Sequence, residues 1–295
     1  MNTPIRSATL NKIGNTPLLS IKSIDREFKS VRILAKAEWF NPGGSVKDRA
    51  GLGMIEDAET RGVLTRDKII LESSSGNTGV ALAMIGAEKG YQVELIVPEN
   101  VHEVKREKME YYGARLILTP AIEGSDGASV EAERRYKENP EAYFFVNQYN
   151  NPANPQAHYE TTGLEILKQT DFKITHFVAG SGTGGTLMGA GRRLKEYDPG
   201  IQVIGVQPKE ALHGIEGLKN MDSSMVPGNY KDEFPDRKIF VATEDAYQMQ
   251  DMLDKEEGLQ VGTSAGAAMW AAFELARYLS EGIIVTVFPD GYGGK

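Results

Sequence analysis

Short runs of β-branched and other apolar residues alternate with longer segments of helical periodicity along the chain. The apolar runs predict strands at 31–37, 68–71, 92–97, 115–118, 142–146, 174–179, 202–206 and 283–288. The periodic segments predict helices at 45–61, 78–88, 102–112, 125–137, 185–196, 243–257 and 264–279. Strands that alternate with helices favour parallel sheets covered on both faces, so we expect an α/β fold with ligands at the carboxyl ends of the strands.

Composition and charge then narrow the class of function. The chain has 295 residues, a net charge of −8 and no cysteine. The acidic balance argues against nucleic-acid binding, and the lack of cysteine excludes disulfides, thiolate metal sites and a cysteine nucleophile. The start of the chain lacks the apolar stretch of a signal peptide, and no apolar run approaches the ~20 residues that span a bilayer. We therefore expect a cytoplasmic protein that binds no membrane.

The histidines offer no metal site. Their positions, 102, 158, 176 and 213, show no ligand spacing such as H-E-x-x-H. We expect them to lie on the surface or to be hydrogen-bonded in the core.

The segment NPGGSVKDR at 41–49 places a lysine at a predicted helix start. Ser45 is expected to cap this helix, with Asp48 as its partner three residues on, and Arg49 to form a local ion pair. Lys47 then lies in the first turn, where the helix dipole and partial burial both favour the neutral amine. A neutral amine condenses with an aldehyde, although a lone lysine is usually solvated.

The turn SSSGNTG at 73–79 directly follows a predicted strand. Hydroxyls and free backbone amides at a helix start bind anions, and a carboxylate would fit here. A capped helix end explains the same residues equally well.

The turn GSGTGGT at 180–186 lies between a predicted strand and a predicted helix. Its glycines let the backbone approach a phosphate. The spacing of Gly180, Gly182 and Gly185 also fits G-x-G-x-x-G, but a dinucleotide site needs an acidic residue at the end of the next strand. That strand ends in Gln207-Pro208, which favours a single phosphate.

A reactive lysine, a carboxylate turn and a single-phosphate turn together are what a pyridoxal phosphate enzyme requires. The chain resembles the cysteine synthase family (O-acetylserine sulfhydrylases) within the fold-type-II pyridoxal phosphate enzymes. The resemblance covers essentially the whole chain through IGNTPLL at 13–19, NPGGSVKDR at 41–49, SSGNTG at 74–79, VPEN at 97–100, QYNNPANPQAHYETTG at 148–163, GSGTGGTLMG at 180–189 and GTSAGAA at 262–268. The NPxGS motif and LKNMDSSMVPGNY at 218–230 point to the B-type, which includes forms that take O-phosphoserine.

This resemblance implies two three-layer α/β domains with mostly parallel twisted sheets, as in the tryptophan synthase β fold. Residues 41–147 form the smaller domain with the carboxylate turn. Residues 1–40 and 148–295 form the larger domain with the phosphate turn. The Asn- and Pro-rich segment 148–155 is the predicted hinge between them.

It also implies a role for individual residues. Lys47 holds the cofactor, pyridoxal 5'-phosphate, as a Schiff base and later moves the α-proton. The other cofactor ligands are Asn77 at the ring hydroxyl, Gly182, Thr183, Gly184, Gly185 and Thr186 at the phosphate, and Ser264 at the pyridine nitrogen. The substrate is held by Ser74, Ser75, Gly76, Thr78 and Gln148 at its carboxylate, and by Gly217.

The implied reaction is a β-replacement that makes L-cysteine from O-acetylserine or O-phosphoserine and a sulfide donor. O-phosphoserine-using relatives carry an arginine where this chain has Lys219, and a lysine keeps the charge but loses the bidentate fork. Lys219 is thus a candidate residue for binding the leaving group of the substrate. Tyr292, near the end of the last predicted strand, is a further candidate contact. A homodimer is implied, and serine acetyltransferase or a sulfur-carrier protein are candidate partners.

Three alternatives stay open from the residues. A cystathionine β-synthase or a serine/threonine dehydratase shares the lysine and the glycine turn. A nucleotide-binding module without chemistry would make Lys47 dispensable.

Overall fold

The computed structural model describes residues 7–291. Its strands are β1 Leu18–Ser20, β2 Val31–Ala37, β3 Ile69–Ser73, β4 Val93–Pro98, β5 Arg115–Thr119, β6 Tyr143–Phe145, β7 His176–Gly180, β8 Gln202–Pro208, β9 Arg237–Val241 and β10 Gly282–Phe288. Its α-helices are α1 Lys22–Asp25, α2 Lys47–Thr60, α3 Asn77–Lys89, α4 Glu103–Tyr111, α5 Gly124–Glu138, α6 Ala153–Glu160, α7 Thr162–Gln169, α8 Gly185–Tyr197, α9 Thr243–Glu257 and α10 Thr263–Ala276. Short 3₁₀ helices cover Leu10–Lys12, Glu38–Phe40 and Ala121–Glu123.

The larger sheet has the strand order β1-β2-β10-β7-β8-β9. All neighbours are parallel except β1, which runs antiparallel to β2. Apolar clusters cover both faces: α9 and α10 contribute to one, and α7 and α8 contribute to the other. Burial on both faces explains why β10, GIIVTVF, is an almost continuous apolar run.

The smaller sheet has the order β5-β4-β3-β6 and is parallel throughout. Helices α2, α3 and α4 supply the large apolar cluster on one face, and α5 supplies the small cluster on the other. Helix α6 packs against both α2 and α8, so it joins the layers of the two sheets. The α/β class with parallel sheets is confirmed; the domain boundaries at residues 41 and 147 stay a prediction.

Two helices, α6 and α7, lie in a region that the sequence pattern left without structure. The Asn-Pro segment was expected to be irregular as far as residue 155, but α6 begins at Ala153. Pro155 is tolerated because it lies in the first helical turn, where its missing N–H has no intrahelical partner. The Asn151 side chain accepts a hydrogen bond from the Ala153 amide at 3.0 Å and so supports the start of this helix.

A buried cluster of charges connects β2, the start of α2 and helix α7. Arg49 contacts Glu38 at 2.7 Å and Glu165 at 2.6 Å, and Lys36 contacts Glu165 at 2.6 Å. The Thr16 hydroxyl donates to Glu38 at 2.7 Å. The side chains of Lys36, Glu38 and Arg49 are 0% exposed, so the expected local ion pair of Arg49 is in fact a buried network that reaches far along the sequence.

Among the helices of residues 7–291, none combines the length and the apolar character that a membrane crossing requires.

Candidate functional site

A cavity of about 390 Å³ opens where the carboxyl ends of β3, β7 and β10 meet. β7 and β10 end at the same edge of the larger sheet and β3 ends in the smaller sheet, and the turns that follow all three line the cavity. Segments distant in sequence therefore meet here. Every site residue predicted from the sequence lines this cavity: Lys47, Ser74, Ser75, Gly76, Asn77, Thr78, Gln148, Gly182, Thr183, Gly184, Gly185, Thr186, Gly217, Lys219 and Ser264. Tyr292 lies outside the described residues.

Lys47 is the first residue of α2 and is partly buried. Burial lowers the pKa of its amine, and the carboxylate of Asp290 partly opposes this shift. Lys105 adds a smaller lowering of the same pKa. Burial thus favours the neutral amine at this position, as the sequence predicted.

The cap of α2 differs from the predicted capping box. The Ser45 hydroxyl accepts a hydrogen bond from the Lys47 amide at 3.2 Å, but the Asp48 carboxylate accepts from the Gly43 amide at 2.5 Å and not from Ser45. The Val46 amide donates to the Pro289 carbonyl at 2.8 Å, so the loop is held by the end of β10. Asp48 is enclosed, and burial raises its pKa to about 7.

The turn after β3 leads directly into α3, which begins at Asn77. The strand extends to Ser73 rather than ending at Leu71 as expected. The Ser74 hydroxyl accepts from the Gly79 amide at 3.2 Å and shapes the turn. Thr78 donates its hydroxyl to the Gln148 side-chain oxygen at 2.7 Å, which fixes the orientation of the Gln148 amide in the cavity.

The glycine turn precedes α8 and approaches its neighbours closely. A Cβ at Gly182 would lie 2.3 Å from the Gly217 carbonyl oxygen, so a side chain has no room there. Gly184 has φ +84°, the left-handed region that glycine adopts without strain. The Thr183 hydroxyl is fixed by Asn154 at 3.1 Å. The Gly185 amide donates to the same hydroxyl at 3.4 Å, and the first amides of a helix such as α8 have no intrahelical partner, which favours an anion at this turn.

His158 lies beneath the glycine turn and is 2% exposed. Its Nδ1 is 2.9 Å from the Thr162 hydroxyl and its Nε2 is 3.4 Å from the Thr186 hydroxyl. Burial, together with the nearby Arg49 charge, lowers the pKa of His158 to about 3. His158 is thus a hydrogen-bonded core histidine, which is one of the two placements expected from the sequence.

Replacing His158 by glutamine is expected to remove part of the acid sensitivity of the fold. The folded imidazole stays neutral down to a pH of about 3, whereas the unfolded imidazole binds a proton below about pH 6.5. The free energy of unfolding of the unaltered chain therefore falls as the pH drops below 6.5, by about 3 kcal/mol at pH 4 from this residue. Urea unfolding at pH 7 and pH 4 measures the difference, and an identical loss in His158→Gln would contradict the assignment.

The lining of the cavity includes a cation–π pair between Lys219 and Tyr149. The Lys219 ammonium lies 4.7 Å from the centre of the Tyr149 ring, and the Lys219 backbone amide donates to the Ser181 carbonyl at 2.9 Å. Across the opening, Lys105 of α4 forms an ion pair with Glu216. Lys219 is thus held where it can meet an anionic group of a ligand.

Several lining residues received no role from the sequence pattern. They are Ser125, Ser129, Tyr149, Glu216 and Asp290. Tyr149 directly follows Gln148, and Asp290 follows the last predicted strand, where ligands of parallel sheets gather. For these two residues, the only signal in the sequence was therefore their position next to a predicted site residue or strand end. Ser125 and Ser129 lie on α5, and no sequence spacing places that helix at the cavity.

The donor set fits a ligand that carries both a carbonyl group and a phosphate. The amine of Lys47 meets the first, and the cradle at Gly182, which a Cβ would fill, leaves room for the second. A cavity of about 390 Å³ lies in the range of small-molecule sites. Among residues 7–291, no group of three or more His, Asp or Glu is placed to hold a metal ion.

Comparison with known proteins gives consistent matches over the whole chain. The family described as pyridoxal-phosphate dependent enzyme matches residues 9–290. A cysteine synthase of Aquifex aeolicus is 52% identical over 292 residues, which are 97% of this chain and 89% of that protein. Cysteine synthase B of Salmonella typhimurium is 40% identical over 278 residues, 94% of this chain and 90% of that protein. The crystal structure of a cysteine synthase from Entamoeba histolytica superposes with a TM-score of 0.93 at 36% identity and covers 100% of this chain and 91% of that chain.

Proposed function

The chain belongs to the family of pyridoxal-phosphate dependent enzymes, and from that premise we propose that it makes L-cysteine from an activated serine and a sulfide donor. The observation that carries the proposal is the meeting of Lys47, the 73–79 turn and the 180–186 turn in one cavity. The relatives reported above are cysteine synthases, which favours sulfide as the nucleophile. This disfavours a cystathionine β-synthase, a dehydratase and a nucleotide-binding module.

Two sets of residues would hold the cofactor, one at its phosphate and the other at its carbonyl carbon and ring. The backbone amides from Gly182 to Gly185 and the Thr186 hydroxyl would hold its phosphate, and the Lys47 amine would attach to its carbonyl carbon. The Asn77 amide would hold the ring hydroxyl, and Ser264, in the first turn of α10, would face the pyridine nitrogen. A serine hydroxyl there is neutral and does not hold a proton on the ring nitrogen as a carboxylate would.

Bound pyridoxal phosphate supplies the electron sink for the bond that breaks at the α-carbon. The residues Ser74, Ser75, Gly76 and Thr78 with Gln148 fix the substrate carboxylate, which orients the α-proton towards Lys47. The substrate amine would displace Lys47 from the cofactor, and the freed, neutral Nζ of Lys47 would then take this proton while the Cβ–O bond breaks to release acetate or phosphate. Sulfide then forms the S–Cβ bond, and Lys47 returns the proton to the α-carbon.

The proposal also covers the cellular location, the oligomeric state and the partners of the enzyme. A cytoplasmic location follows from the sequence pattern, and a homodimer follows from the family resemblance. Serine acetyltransferase and a sulfur-carrier protein are the partners that the resemblance offers. Light scattering of the purified chain measures the dimer, and a monomer would remove that part of the proposal.

The leaving group is tested through Lys219. We expect Lys219→Ala to lower kcat/KM for O-phosphoserine by about tenfold, which corresponds to the ~1.4 kcal/mol of one charged contact. Turnover of O-acetylserine is expected to stay within about twofold, because its leaving group carries no phosphate. Lys219→Arg should match or exceed the unaltered enzyme with O-phosphoserine, since the guanidinium binds phosphate through two bonds.

The exposed Lys231 provides the control. Lys231→Ala should change neither substrate's kcat/KM. Equal loss for both substrates in Lys219→Ala would remove Lys219 from leaving-group recognition, and absence of cysteine formation from either substrate would overturn the proposed reaction.

A further inference from the structure

Asp290 lies two residues beyond the end of β10 and lines the same cavity as Lys47. Its Oδ2 accepts a hydrogen bond from the Asn77 Nδ2 at 2.6 Å, a length typical of a bond to a charged acceptor. No other carboxylate of residues 7–291 receives a hydrogen bond from the Asn77 side chain in this structure. The contact joins positions 213 residues apart, so no local pattern reveals it.

The backbone around Asp290 is tied to the lysine loop. Ser45 and Asp290 form an isolated antiparallel bridge, and the Pro289 carbonyl accepts from the Val46 amide at 2.8 Å. Asp290 is thus held in place relative to Lys47 by main-chain bonds. A shift of either segment would move the other.

The second carboxylate oxygen is enclosed. Oδ1 of Asp290 is buried and has no hydrogen-bond partner among residues 7–291. A Cβ at Gly262 would lie 2.2 Å from this oxygen, so the residue before α10 must be glycine for the carboxylate to fit. The start of α10, which carries Ser264, therefore packs directly on Asp290.

The hydrogen bond between Asn77 and the Asp290 carboxylate can run in only one direction. A carboxylate accepts hydrogen bonds only, so it fixes which end of the Asn77 amide turns towards Asp290. The amide then keeps its second N–H for the cofactor. Burial raises the pKa of Asp290, which the Asn77 hydrogen bond and the Lys105 charge oppose and the Glu216 charge reinforces. In its charged form, Asp290 raises the pKa of Lys47 against the effect of burial.

We propose that Asp290 is a positioning residue of the cofactor site, which orients the Asn77 amide and places a carboxylate in the cavity that the Lys47 amine also lines. The inference rests on the proposed function, because it assumes that Asn77 and Lys47 hold the cofactor. It gives Asp290 no bond to the substrate. Its effect is exerted through two neighbours.

The first test is a cycle of Asp290→Asn, Asn77→Ala and the double variant, with the dissociation constant of pyridoxal phosphate as the readout. Equilibrium dialysis of the full chain measures this constant without reference to turnover. We expect Asp290→Asn to weaken cofactor binding about tenfold, since a misoriented amide forfeits a bond of this class. The double variant should bind no more weakly than Asn77→Ala alone, because Asp290 acts through Asn77. Additive losses would overturn the proposal.

The second test measures the Lys47 amine directly. In the full chain freed of cofactor, acylation of Lys47 by acetic anhydride at neutral pH is followed by mass spectrometry of the Lys47 peptide. Removal of the neighbouring charge in Asp290→Asn enlarges the neutral fraction of the amine, so the rate should rise several-fold. An unchanged rate would overturn the electrostatic half of the proposal.

Thr286→Val is the matched control, because Thr286 is a buried polar residue of β10 with an unpaired hydroxyl. It should leave both readouts unchanged; a loss of cofactor affinity equal to that of Asp290→Asn would assign the effect to packing. Where Asp290→Asn fails to fold, the smaller Asp290→Ser takes its place in both tests. Failure of the unaltered chain to bind cofactor would refute the proposed function, whereas normal binding in all Asp290 variants would refute only this inference.

Discussion

Lys47→Ala is expected to lower kcat for cysteine formation by more than about 10⁴-fold, because one side chain both bonds the cofactor and moves the α-proton. The visible absorbance that the cofactor gives when joined to the lysine should disappear as well. Burial lowers the pKa of the Lys47 amine, and among the described residues that line the cavity no second amine lies at the start of α2. Steady-state assays and absorbance spectra of the purified variant measure both effects.

Two further variants separate the amine from the charge. Lys47→Arg keeps a cation but provides no neutral amine, so it should be as inactive as Lys47→Ala. Lys137→Ala removes an exposed lysine of α5 and should be fully active. A small primary amine added to Lys47→Ala should restore part of the lost rate. Retention of turnover and of the absorbance band in Lys47→Ala would refute the central role of this lysine.

Arg49→Met is expected to lower the free energy of unfolding by about 3–5 kcal/mol, because it leaves two buried carboxylates without their main partner. Glu38 is fully buried and Glu165 is nearly so, and both depend on the Arg49 guanidinium. The Glu165 pKa, held at about 2 by this contact despite burial, shows how strongly the charge is stabilised. A fall in Tm of about 10 °C corresponds to this loss.

The control is Arg134→Met on α5, whose side chain is 50% exposed and pairs with Glu131 and Glu138. Exposed ion pairs contribute about 0–1 kcal/mol, so this variant should unfold almost as the unaltered chain does. Thermal unfolding at a fixed cofactor concentration compares the two. Equal destabilisation by both substitutions would mean that burial of the Arg49 cluster has no energetic consequence.

The strands and helices with a strong pattern were predictable from the sequence. β2 at Val31–Ala37 and α9 at Thr243–Glu257 have the predicted bounds, because most residues of this buried strand are apolar and the helix begins after a clear break. β1 and β9 were missed. β1 has only three residues, and β9 is an edge strand whose Arg237-Lys238 start lacks the alternation of a half-buried strand.

The candidate site was predictable where a turn carries its own chemistry. The turns at Asn77 and Gly182 each join a strand end to a helix start, and Lys47 begins a helix after a Gly-Gly turn, so the residue types and spacing were sufficient. The contacts that arrange these residues were not predictable. Thr78 reaches Gln148 over 70 residues and Asn77 reaches Asp290 over 213, and pairings at such separations depend on the strand order.

The position of β10 in the larger sheet has a consequence for biosynthesis. β10 is the last described strand to leave the ribosome, yet it lies between β2 and β7 and pairs with both. The pairing of β2 with β10 and of β10 with β7 therefore cannot form until β10 itself is translated. The smaller sheet, whose strands lie between residues 69 and 145, contains all its pairing partners long before then. The smaller sheet, with the carboxylate turn, can thus form before β10 is made, whereas the complete cofactor pocket requires β10.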